Sequence, residues 1–85
     1  MTRVQILFWQ NIPSLVKAVA DDGTEARRQL PEWYQQEIDR AAMEQGLAES
    51  DAYLEQWRWS DPEERDGPPA EVAAAVEAEL LAANS

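Results

Sequence analysis

The chain has 85 residues, no cysteine, no histidine and a formal net charge of −10. Its length makes one small domain, and the two missing residue types remove disulfides, thiolate chemistry, the commonest general base and the commonest zinc ligand. The acidity argues against binding a nucleic-acid backbone, which takes clustered Lys and Arg, and equally against an anionic membrane surface.

Residues 1–10 predict a strand, because Val4, Ile6 and Phe8 alternate with Gln5, Leu7 and Trp9. The apolar run at 4–9 is too short for a transmembrane helix and lacks signal-peptide cleavage chemistry, so the sequence reads as that of a cytoplasmic protein. Asn11-Ile12-Pro13-Ser14 breaks the strand, since Pro13 has no N–H for a ladder. Residues 15–20 predict a second strand with Leu15, Lys17 and Val19 on one face and Val16, Ala18 and Ala20 on the other. Asp22-Gly23 then predicts a two-residue hairpin into a third strand over 25–30.

Pro31 stands where a first helix starts, and Tyr34, Ile38, Ala41, Ala42 and Gln45 share one helical face. Gly46 is placed to end that helix. Ser50 is a good N-cap for a second helix, with Asp51 in its first turn and Tyr53, Leu54 and Trp57 as its apolar face. So short a connection predicts an αα-hairpin. SDPEERDGPP at 60–69 reads as an acidic, proline-rich linker, and 70–83 as an alanine-rich helix with a thin stripe at Val72, Val76 and Leu80. The fold class is therefore α+β: a three-stranded antiparallel sheet packed by an αα-hairpin in a core at 1–59, then the linker at 60–69 and a C-terminal helix at 70–85.

Charge and aromatic content divide the chain. Residues 1–48 carry five basic and seven acidic side chains, whereas 49–85 carry two and ten, and all seven aromatics lie at or before Trp59. The acidic rear is suited to solvent or to a basic protein partner.

Carboxylates are the only catalytic group type on offer. Glu37 with Asp39, and Glu49 with Asp51, are pairs two apart that do not face each other, so neither reads as an acid/base couple. Asp61, Glu63, Glu64 and Asp66 have the ligand chemistry of a hard-cation site without the order of a calcium loop, so no metal or other cofactor is inferred. Tyr34, Tyr53 and Trp57 fall on inward faces and read as core. Trp9, Trp33, Arg58 and Trp59 do not, and Trp and Arg at a surface are typical interface anchors. The remaining basic residues read as partners of the protein's own carboxylates.

ILFWQNIPSLV, QLPEWYQQEIDRAAMEQGL and DAYLEQW together resemble a small bacterial family whose domain is labelled "virulence factor", also seen at the end of larger HEAT-repeat proteins. The resemblance rests on Phe8, Trp9, Ile12 and Pro13, then Leu30, Pro31, Ile38, Asp39, Ala41, Ala42 and Met43, then Asp51, Ala52, Tyr53, Leu54 and Trp57. It covers about residues 4–59, leaves the acidic tail outside, and departs at Gln10, where the family pattern has Arg. It implies no catalytic residues. With the composition, it points to a non-enzymatic interaction module, an accessory subunit or adaptor. The alternative it implies is a ligand-binding subunit of a folate- or cobalamin-linked one-carbon system, with Asp39 or Asp51 holding the ligand.

Overall fold

A computed structural model describes residues 1–47 and 50–83. Strand β1 (Thr2–Trp9) turns directly into β2 (Ile12–Ala20), and the two pair antiparallel along their whole length. The predicted break at Asn11–Ser14 shrinks to a turn at Gln10-Asn11. Gln10 takes a positive φ of 56° in the two-residue turn, and Pro13 lies inside β2. Pro13 is tolerated because the register shifts between Leu7 and Phe8, which pair with Leu15 and Pro13 and leave Ser14 as the extra residue of a bulge.

The second hairpin leads into β3 (Glu25–Gln29) as predicted, with a turn one residue longer. Ala20 donates to the Thr24 carbonyl at 2.8 Å and Gly23 donates back to the Ala20 carbonyl at 2.9 Å. Gly23, at φ +89°, supplies the left-handed residue of a three-residue loop. The Asp22 carboxylate accepts the Thr24 N–H at 2.9 Å, and this bond holds its pKa below the usual carboxylate value.

Two further strands, β4 (Trp57–Trp59) and β5 (Glu63–Arg65), raise the sheet from the three expected strands to five. Both pair antiparallel with the free edge of β1, β4 opposite Leu7–Trp9 and β5 opposite Thr2–Val4. Ser60 bridges the gap between them: its N–H donates to the Ile6 carbonyl and its hydroxyl accepts the Ile6 N–H, both at 2.8 Å. One β1 edge is thus satisfied by a single extended segment interrupted at Asp61-Pro62, where proline cannot donate. The residues read as the end of a helix and the start of a linker are edge strands, in the order β3-β2-β1-β4 with β5 also on β1.

Helix α1 (Glu32–Glu44) buries Tyr34, Ile38 and Ala42, the expected face. It ends in a Schellman arrangement at Gly46 (φ +71°), where Leu47 donates to the Ala42 carbonyl at 2.8 Å and Gly46 to that of Met43 at 3.1 Å. Helix α2 (Asp51–Glu55) is five residues long, too short to form the second arm of the expected αα-hairpin. Helix α3 (Pro69–Ala83) buries Pro69, Val72, Ala73 and Val76, a stripe at helical spacing.

Two apolar clusters result. Val72, Ala73 and Val76 of α3 pack on Val4, Val16 and Ala18, the even-numbered face of the first hairpin, with Ile6 and Leu80 beside them. Trp9 packs on Ile38 and Ala42 of α1, with Ile12, Tyr53 and Trp57 closing around it.

Ion pairs fasten α3 at the sheet margins: Arg28 meets Glu77 at 2.8 Å, and Arg65 grips Glu79 with both terminal nitrogens at 2.5 and 2.8 Å. The Arg65 hydrogen bond holds the Glu79 carboxyl below its ordinary value of 4.5 and raises the Arg65 pKa. A depressed carboxyl pKa contributes stability that is present above the ordinary value and lost as pH falls through the folded one. The pair is exposed, so the effect is small. Thermal melts of the parent and Glu79→Gln should therefore differ most near neutrality and converge as pH falls below the ordinary carboxyl value of 4.5; a difference that is constant with pH would contradict this.

Candidate interaction surface

The sheet's two faces are treated unequally. Val4, Val16 and Ala18, under α3, are buried, whereas Arg3, Gln5, Leu7, Leu15, Lys17 and Val19, which point the other way, are exposed or half-buried. Register assembles this open face. Leu7 stands directly opposite both Leu15 and Trp59, Gln5 opposite Lys17, and Arg3 opposite Val19. The Lys17 ammonium sits 5.0 Å from the centre of the Trp59 ring, a cation–π contact that leaves Trp59 41% exposed. Gln5 donates to the Ser60 carbonyl at 3.0 Å, holding the chain that follows Trp59 against β1. Arg3, Gln5, Lys17, Val19 and Pro62 line a shallow depression of about 200 Å³ beside it.

Trp59 and Arg58 share β4, but neighbours on a strand face opposite ways. Arg58 lies 5.3 Å from the Phe8 ring centre and donates to the Gln10 carbonyl at 3.3 Å, so Gln10 anchors it through its backbone. Trp33 is 51% exposed in the first turn of α1, with its ring edge-on to Tyr34 at 4.8 Å.

Trp9 is placed differently from the expectation of a surface residue. It is fully buried, its indole N–H donates to the Tyr53 carbonyl at 2.9 Å, and its ring lies 5.5 Å from that of Tyr53. α1 and α2 pack across this end of the sheet, which turns an apparently outward position into the centre of a cluster.

Asp39 and Asp51 are both exposed. Asp39 accepts from Gln35 at 3.1 Å and borders an open depression of about 400 Å³ lined also by Ala42, Met43 and Tyr53. Asp51 begins α2. Glu37, the other member of the Asp39 pair, is bound to Arg40, and Glu49 lies outside the described residues. In the acidic segment Glu63 pairs with Arg65 at 3.5 Å, and no group of three potential metal-binding side chains occurs among the described residues. Nor, among them, is any helix long and apolar enough to cross a membrane.

Leu15, Lys17 and Val19 are legible as one face of a strand. Their union with Arg3 and Leu7 follows from the first hairpin, whereas that with Trp59 depends on pairing across more than fifty residues of sequence, for which the alternation Trp57-Arg58-Trp59 is the one local sign. The sequence model of a family described as "Virulence factor" matches residues 7–85. That match takes in β4, β5 and α3, so it reaches through the acidic tail that the motif resemblance left out. No curated protein and no solved structure matches the chain.

Proposed function

The chain belongs to the virulence factor family, and from that premise we propose that it is a non-enzymatic protein-interaction module, an accessory subunit or adaptor. The observation that carries this reading is Trp59, a large ring left 41% exposed on an uncovered sheet face with Leu7 and Leu15 paired beside it. A solvated tryptophan flanked by aliphatic side chains and a cation has the composition of an interface centre. Trp33, on α1, is a second exposed ring available to the same or another partner. The carboxylates concentrated in the second half of the chain give it a long-range field that steers a partner with a basic surface.

The test is affinity capture with the parent chain and Trp59→Ala side by side. Trp59 is 41% exposed and its ring contact is to the Lys17 ammonium, so the variant should melt within a few degrees of the parent, as surface substitutions do. It should nevertheless lose at least about tenfold in affinity for the captured partner, the mark of a hot-spot aromatic. Equal recovery of the partner by a folded Trp59→Ala chain would refute the reading.

A further inference from the structure

Five of the seven basic side chains are occupied by the protein itself. Arg27, Arg28, Arg40 and Arg65 pair with carboxylates, and Arg58 is held by Phe8 and the Gln10 carbonyl. Arg3 and Lys17 are the exceptions among the described residues. Glu64 is the register partner of Arg3 across β1 and β5, yet no ion pair joins them. Glu25, on the same face, is bound to Arg27. Lys17 has only the Trp59 ring. A chain with 17 acidic and seven basic residues therefore leaves three cations without a carboxylate, and two of them, Arg3 and Lys17, line the same depression beside Trp59. They are also diagonal neighbours across β1 and β2, because Arg3 is opposite Val19 and Gln5 opposite Lys17. Like charges so placed repel each other, and an anion brought between them relieves that repulsion.

Resting on the interaction reading above, we infer that the Trp59 face takes an acidic segment of a partner polypeptide, with carboxylates meeting Arg3 and Lys17 and an adjoining apolar side chain covering Trp59 and Leu7. Charge complementarity selects this occupant. A basic segment suits the field of the whole chain but meets two unneutralised cations here, and a nucleic acid or anionic membrane extends past the face onto the surplus carboxylates, which a short acidic segment does not. Gln5 and the alternation of Leu and Lys along β2 favour an extended segment that presents acidic and apolar side chains in turn.

The test uses the full chain, isotopically labelled for amide NMR, and two fluorescein-labelled probes, Glu-Glu-Leu-Glu-Glu-Leu and its lysine counterpart. The glutamate peptide should bind saturably despite the negative charge of the protein, moving amides on β1, β2 and β4 and weakening as salt rises. Lys17→Glu and Arg3→Glu should each reduce its affinity about tenfold while leaving the amide spectrum that of a folded chain. Binding of the lysine peptide alone, shifts confined to other elements, or glutamate binding unaffected by both reversals would each overturn the assignment. Such failure alongside a captured partner that Trp59→Ala still loses would leave the interaction reading standing; retained capture by Trp59→Ala would overturn that reading whatever the peptides do.

Discussion

Trp9→Ala is expected to cost about 3–5 kcal/mol of stability. An 85-residue domain has only about 4–13 kcal/mol to lose, so the variant should be largely unfolded at physiological temperature or melt about 12–40 °C below the parent. The size of the effect follows from what the ring touches. Trp9 is fully buried where the end of the sheet meets α1 and the α2 turn, and Ile38, Ala42, Ile12, Tyr53 and Trp57 close around it. The Tyr53 ring lies edge-on to Trp57 at 6.1 Å, and the Tyr53 carbonyl accepts the Trp9 N–H. Trp9→Phe keeps most of the volume and strands that carbonyl, so its loss should be about 1–3 kcal/mol. Urea denaturation of both variants checks the order. A Trp9→Ala chain melting within a few degrees of the parent would mean that the cluster does not hold α1 on the sheet.

How far such a residue can be recognised from sequence depends on which of its neighbours are local. α1 is legible because every determinant lies within it: Tyr34, Ile38 and Ala42 recur at i+4, and Gly46 supplies the left-handed residue that ends it. The alternation of Val16 and Ala18 against Lys17 and Val19 is equally local, and those faces are as read. The β1–β2 turn is not, because Pro13 punctuates a strand unless a bulge removes the need for its N–H, and that bulge is set by pairing with Leu7 and Phe8. The same holds for β4 and β5. Three-residue strands have no stability of their own, and what defines them is the unpaired edge of β1 about fifty residues earlier in the chain. Tyr53, Leu54 and Trp57 do make an amphipathic pattern, but burial at Trp9 selects extended backbone from Trp57 onward. The burial of Trp9 and the arrival of Trp59 beside Arg3 and Lys17 are both products of these long-range pairings, which is why residue type alone named Trp59 rightly as exposed and misplaced Trp9.

Val76→Asp should be the second severe change, and its consequences should begin in α3. Val76 is 4% exposed against Val4, Val16 and Ala18, in a cluster with no cation, and its nearest helical turns direct Glu77 and Glu79 outward to Arg28 and Arg65. A carboxylate there has no partner, and the cost is about 3 kcal/mol or more. A helix of 15 residues is marginal in water even when rich in alanine, so α3 owes its helicity to the face it covers. Once it lifts away, that face of Val4, Val16 and Ala18 is open to water, and the Thr2 hydroxyl bond to the Gly67 carbonyl, 2.6 Å in the folded chain, loses its partner's position. The expected signature is a fall in helical circular dichroism, fast amide exchange throughout α3, and faster exchange in β2 and β3, which carry most of the helix contacts. Val76→Ala keeps the helix propensity and forfeits only part of the burial, so it should lower stability by about 1–2 kcal/mol without releasing the helix. Should Val76→Asp keep the parent's helical signal and its slow exchange in β2, α3 would be an appendage beside the sheet, and the even-numbered face would be covered some other way. Should α3 melt alone while the Trp9 cluster keeps its protection, the two clusters would be separable units of stability, with the Trp59 face carried by the one that remains.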